Sequence, residues 1–309
     1  MKPEQMIIVG ISVLAVGVAA YFVAKQNKPR LEITPEMLKI GLDRPILWLY
    51  YDDSQVNSRY WTDFGARSSQ VINIPILNLF YESILKANGE DYRVEVIGGV
   101  QGVTELLGED SMPTRLRNPK AKVGVAEQDW IRTAVLAKFG GLWLSSSVVC
   151  VKGFGKLPDK VVAFGQDDEP MYGTAVPGFR ALWSPRAGHP YFVEWEARIR
   201  DRLDTQLGGL QIRGDAKSDW LEICGGKDVE VRYYDELSRD VKTQKKLQLE
   251  DLFATQGGVL RVPDEAKYIV VPYDDLVTRS MFSWILRNSE EQIMESEMAI
   301  SKVLREILD

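Results

Sequence analysis

The stretch that decides the fold is residues 123–154, VGVAEQDWIRTAVLAKFGGLWLSSSVVCVKGF. Ile131, Ala134, Val135 and Phe139 recur at helical spacing, which predicts a helix over residues 126–139 with one apolar face. Gly140-Gly141 follows at once and stops it, glycine being the residue that enters a left-handed cap without a steric cost. Residues 142–151 then form a β-rich run with a polar triple, Ser145-Ser146-Ser147, set into it. A helix that turns on two glycines directly into a strand is half of an α/β unit.

The segments on either side extend that unit. Residues 45–51 (PILWLYY) are an apolar and aromatic run ended by Asp52-Asp53-Ser54, the pattern of a buried strand entering a polar loop. In residues 75–87, Ile76, Leu79, Phe80, Ser83, Ile84 and Ala87 keep helical spacing, and Asn88-Gly89 closes the segment. Residues 92–97 (YRVEVI) alternate like a strand. Strand, helix, strand within about 55 residues reads as a βαβ unit and a parallel sheet covered on both faces. Downstream, strands are expected at residues 161–164 and 268–271, and helices at 191–203 and 290–308, the last with Ser289 as cap and Gln292 reciprocating. Residues 240–251 are charged enough for an exposed turn and helix, while residues 280–287 read as a core-packing segment.

Composition narrows the function. Of 309 residues, 45% are hydrophobic and 27% charged, enough to bury a core. A net charge of −6 offers no electrostatic footprint for a phosphate backbone, so nucleic acid is not an expected partner. Cys150 and Cys224 are too few for a disulfide framework and lack zinc-site spacing, and His189 is the only histidine. Residues 6–24 carry no charge over 19 positions, and as a helix they would cross most of a ~30 Å hydrocarbon core. A cleaved signal peptide is the rival, with Lys2 as its basic region and Val18-Ala19-Ala20 as the cleavage site, but the apolar run continues through Tyr21, Phe22 and Val23. The expected organisation is a tail (1–5), a transmembrane anchor (6–24), a linker (25–40) and one α/β domain with a C-terminal helical extension (41–309). That makes a single-pass membrane protein. Its orientation stays open, with Lys25, Lys28 and Arg30 after the span and Lys2 before it.

The central stretch resembles glycosyltransferase families that carry a DXD-containing sugar-binding region, among them capsular polysaccharide synthesis proteins and yeast-type initiating mannosyltransferases. Their signature is a helix with Asp-x-x-Arg-x-x-x-Leu, a Gly-Gly turn, an aromatic residue and then Asp-x-Asp. Asp129, Arg132, Leu136, Gly140, Gly141 and Trp143 stand at the matching positions. The upstream strand–helix–strand order, and the downstream segments 162–166 and 186–190, are also similar. The resemblance implies a Rossmann-like GT-A fold: a mostly parallel sheet flanked by helices, binding a nucleotide-sugar donor and passing the sugar to a glycan or lipid-linked acceptor.

Where those families have Asp-x-Asp, this chain has Ser145-Ser146-Ser147. The family's carboxylates hold Mn²⁺ or Mg²⁺ against the donor diphosphate. Serine hydroxyls are far weaker ligands for a hard dication, so no residue here is expected to ligate a metal. Three readings follow. In the first, cations replace the metal, with Arg132, Arg115, Arg117 and Lys120 as candidates; in the second, other carboxylates, Asp167-Asp168-Glu169 or Asp52-Asp53, have taken over; in the third, the fold persists without catalysis as a membrane-tethered structural or assembly component. By the resemblance, Asp129 is a candidate catalytic residue, and Asp129, Arg132, Gly141, Trp143, Ser145 and Ser147 are the donor-binding set; Asp168 is the second catalytic candidate, from the reading in which other carboxylates have taken over. An ion pair for Asp129–Arg132, a helix stop for Gly140-Gly141 and a core position for Trp143 are the plainer alternatives. Protein partners are not legible.

Overall fold

The computed structural model describes residues 44–52, 74–117, 123–167, 171, 173–205, 216–225, 227–255 and 259–309. The expected anchor, the linker through residue 40, and Asp53, Lys120, Asp168 and Glu169 lie outside them. Among the described residues no helix is long and apolar enough to cross a membrane.

Among the described residues, six strands form the larger sheet: β1 (Ile46–Tyr51), β2 (Arg93–Gly98), β3 (Gly141–Ser145), β5 (Val161–Phe164), β6 (Ala181–Ser184) and β7 (Val229–Arg232). Their spatial order is β2-β1-β3-β6-β5-β7. β1 lies between β2 and β3, parallel to both, with Leu47 opposite Leu142 and Tyr50 opposite Ser145. β6 runs against both its neighbours, β3 and β5, and β7 adds parallel to β5. The sheet is thus mostly parallel, as expected, with one reversed strand at its middle. A second sheet of three strands has the order β4 (Val148–Cys150), β9 (Tyr268–Val270), β8 (Glu236–Leu237).

Alternation along β3 builds the two faces. Leu142 and Leu144 join the core beneath α1 (Pro75–Asn88), the small sheet and the C-terminal α9 (Ala299–Leu308). Trp143 joins the other core, where α3 (Val125–Phe139), α4 (Pro190–Thr205) and α5 (Ala216–Cys224) bury Trp130, Trp195 and Trp220. A short helix α2 (Gly99–Leu107) leaves the end of β2. The remaining short helices are α6 (Leu249–Leu252), α7 (Tyr273–Thr278) and α8 (Glu290–Glu295).

Two expectations need correction. The β-rich run 142–151 is two strands in two sheets, and the serine triple is the place where the chain changes sheet. The helix expected over 290–308 is broken into α8 and α9. Ser296 Oγ donates to the Ile293 carbonyl (2.8 Å), Met298 is fully buried in the gap, and Arg305 donates to the Met294 and Ser296 carbonyls across it. The predicted reciprocal cap of α8 is present: Ser289 Oγ accepts from the Gln292 N–H (3.2 Å), and Gln292 Oε1 accepts from the Ser289 N–H (3.0 Å).

Candidate functional site

The serine turn is tied to both sheets by its backbone. The Ser145 N–H donates to the Arg180 carbonyl (2.7 Å), extending the β3–β6 ladder by one rung, and the Ser147 carbonyl accepts from the Val271 N–H (3.0 Å). Ser145 Oγ closes the turn by accepting from the Ser147 N–H (3.3 Å). Ser146 is buried, but Ser145 and Ser147 are half-buried and line a cavity of about 280 Å³. Arg180, Ser238 and Lys246 share its wall, and Tyr273, Asp274 and Asp275 bring the start of α7 to it. The cavity therefore opens at the carboxyl end of β3, the end of open α/β sheets where ligands bind.

Arg180 is held from behind. Its Nη1 donates to Glu236 Oε1 (3.1 Å), whose side chain has no exposed surface, and the Tyr268 hydroxyl donates to Glu236 Oε2 (2.9 Å). Burial pushes the Glu236 carboxyl above the ordinary glutamate range, with Arg180 and the hydrogen bonds it accepts pulling the other way. Burial and the facing carboxylate push the Tyr268 hydroxyl well up. Gly165 makes room for this carboxylate: at φ +71° it sits where a Cβ would lie 2.3 Å from Glu236 Oε2.

Asp129 and Arg132 form the pair that the sequence singles out, and they lie elsewhere. Arg132 Nη2 donates to Asp129 Oδ1 (2.6 Å), and both side chains are 10% exposed. Burial raises the Asp129 carboxyl, opposed by Arg132. The Arg132 guanidinium packs over the Phe179 and Trp195 rings, and its Nη1 donates to the Phe179 carbonyl (3.1 Å). Phe179 has φ +53°, a left-handed conformation that costs a bulky residue of order 1–3 kcal/mol and persists only where its surroundings enforce it. Arg132 on its carbonyl, with Trp195 and Trp220 against its ring, enforces it here. The backbone thereby turns between Phe179, in the core under α3, and Arg180, which faces the small sheet. Asp129 and Arg132 do not line the cavity; they reach it through Phe179.

The other sequence candidates separate as follows. Gly141 (φ +94°) lies at the opposite end of β3 from the serines, where a Cβ would stand 2.4 Å from the Ile46 carbonyl oxygen. Trp143 is buried and stacks on Tyr50 with ring centroids 6.5 Å apart. Both are parts of the sheet's packing. Arg115 pairs with Glu127 (2.7 Å), and Arg117 Nε donates to the Met112 carbonyl (3.1 Å), so neither is among the residues lining the cavity. Asp167 pairs with Lys217 (2.8 Å). His189, its pKa lowered by burial, sits against Tyr191 in the loop before α4. Among the residues that the sequence did not single out are Arg180, Lys246, Asp274 and Asp275 on the cavity wall, and Glu236 behind Arg180. Their only local trace is an arginine directly before a strand, because the contacts that matter span 56 and 32 residues.

The donor set does not fit a divalent cation. Ser145 and Ser147 are neutral, and the Arg180 guanidinium shares their wall, where a second positive charge is repelled. Asp274 and Asp275 are consecutive on a helix and so project in different directions. Among the described residues no group of three or more His, Cys, Asp or Glu side chains is placed to hold a metal.

No family model and no curated protein matches the chain. Among solved structures it is similar to one titled PaToxG Glycosyltransferase, with a TM-score of 0.39 and 15% identity over 59% of this chain and 72% of that one. A second, titled as a transferase mutant, gives a TM-score of 0.35 and 13% identity over 59% and 85%. At these scores the overlap is partial, and the functional reading rests on the residues of this chain.

Proposed function

We propose that this chain is a membrane-anchored glycosyltransferase-like protein that takes a nucleotide-sugar donor at the carboxyl end of β3, with residues 6–24 as the anchor. The observation carrying the reading is that Ser145 and Ser147, at the positions of the family's sugar-nucleotide motif, line a polar cavity and are not packed into the core. In the transfer step the acceptor hydroxyl oxygen bonds to the anomeric carbon as the bond from that carbon to the diphosphate oxygen breaks. The electron pair leaves on the nucleoside diphosphate, and the hydroxyl proton passes to a base. Asp274 and Asp275 are the exposed carboxylates on the cavity wall available for that proton and for hydrogen bonds from sugar hydroxyls. Asp129 and Arg132 act at a distance, holding the Phe179–Arg180 backbone.

The test is to incubate the full chain with a panel of UDP- and GDP-sugars, with and without glycan acceptors, and to measure released nucleoside diphosphate. Acceptor-stimulated release from one donor is the expected result. Saturable donor binding without release would replace the enzyme with an inactive, membrane-tethered relative, and absence of both would remove the donor reading.

A further inference from the structure

The cavity has a chemical bias that the family resemblance does not supply. Its inner, half-buried groups are the Ser145 and Ser147 hydroxyls and the Arg180 guanidinium, all able to donate hydrogen bonds to an anion. Its carboxylates, Asp274 and Asp275, are exposed. Lys246 brings a second positive charge to the same wall. Arg180 is also set in place before any ligand arrives. Glu236 occupies its Nη1, the Tyr268 hydroxyl fixes the other oxygen of Glu236, and the missing side chain at Gly165 leaves the space that the carboxylate fills. A guanidinium has five N–H donors in a rigid fork, so one bond to Glu236 leaves the fork able to take a phosphate oxygen pair. At about 280 Å³ the space is at the small end of ligand pockets and suits a diphosphate or one sugar ring, not a whole sugar nucleotide.

We infer that this cavity grips the diphosphate of a nucleoside diphosphate directly, through the Arg180 guanidinium and the Ser145 and Ser147 hydroxyls, with no divalent cation between protein and phosphate. Glu236 is the positioning residue for Arg180. The inference rests on the donor-site reading above and specifies what replaces the family's metal.

The experiment is calorimetric titration of the full chain with UDP, GDP and inorganic pyrophosphate, each in EDTA and the two nucleotides also in MnCl₂. One nucleoside diphosphate is expected to bind with an affinity that changes less than about twofold between EDTA and Mn²⁺. Removing Arg180 alone strands the buried Glu236, so the variant tested is Arg180→Gln with Glu236→Gln, which removes both charges and keeps an acceptor for the Tyr268 hydroxyl. With its melting temperature checked, it is expected to bind at least tenfold more weakly. Lys246→Gln and Ser147→Ala, both on the cavity wall, are expected to weaken binding severalfold. Binding that needs Mn²⁺ overturns the metal-free grip and leaves the donor reading standing. Pyrophosphate binding in EDTA without binding of either nucleotide supports the grip and removes the donor reading. An affinity that the folded double variant leaves unchanged, or no binding of any probe, overturns the inference.

Discussion

Two arginine–carboxylate pairs, Arg132–Asp129 and Arg180–Glu236, are joined by one residue, and they do different work. Arg132–Asp129 lies among the tryptophans under α3, α4 and α5, both partners nearly closed to solvent, and ends on the Phe179 carbonyl. Arg180–Glu236 begins one residue later, with its carboxylate sealed but its guanidinium 29% exposed at the cavity wall. The first pair presents all its charge to the protein; the second presents half of it outward. A match to a sequence motif locates the first pair. Only the cavity identifies the second, and Phe179, left-handed between them, connects the two.

Breaking the inner pair gives the largest effect. Asp129→Ala leaves the Arg132 charge buried without its partner, and the unfolding free energy is expected to fall by about 3–5 kcal/mol in a denaturant titration. If the loss is below about 1 kcal/mol, the pair does not enforce the Phe179 turn, and the two pairs are independent.

The outer pair is compared through pH. Burial holds the Glu236 carboxyl above its ordinary range, so between the unfolded value, about 4.3, and the folded one, the native chain binds more protons than the unfolded chain. The stability contributed by this group is present below that window and is lost as pH rises through it. Glu236→Gln removes the titration, and its unfolding free energy is expected to fall less steeply there, by at most about 1.4 kcal/mol per pH unit. Asp129, also raised by burial, predicts the same sign for Asp129→Asn. Unfolding curves at several pH values compare the two directly, and a steeper fall in either variant reverses the sign argued here.

The smallest effect sharpens the contrast at the turn. Ser145→Ala removes the acceptor for the Ser147 N–H, a long bond at a half-buried site, and is expected to cost about 0.5–1.5 kcal/mol. Thermal melts measure it. A loss above that range would make the hydroxyl a structural strut and not a group kept for a ligand.

How far the sequence could be read follows the range of the forces involved. The β1, α1, β2 and α3 segments were legible to within a residue or two, because apolar spacing and glycine stops are local. The Gly140-Gly141 stop was legible for the same reason. The sheet change at Ser145–Ser147 was not: Leu142, Leu144, Val148 and Val149 are equally apolar, and nothing local says that they serve different sheets. The reversal of β6 was equally hidden, since strand direction is decided by what pairs with it. At the site, Ser145 and Ser147 stood out as a departure from a motif. Arg180, Glu236 and Tyr268 did not, because each sits in ordinary strand-edge sequence and acquires its role from partners tens of residues away.

Gly165 turns this arrangement into a constraint on descent. With its missing Cβ only 2.3 Å from where the Glu236 oxygen rests, the two positions cannot vary independently. A homologue with a side chain at 165 has to move the Glu236 carboxylate or shorten it, and its arginine at 180, if retained, loses this anchor. Covariation of these three columns is the trace that the cavity would leave in a lineage.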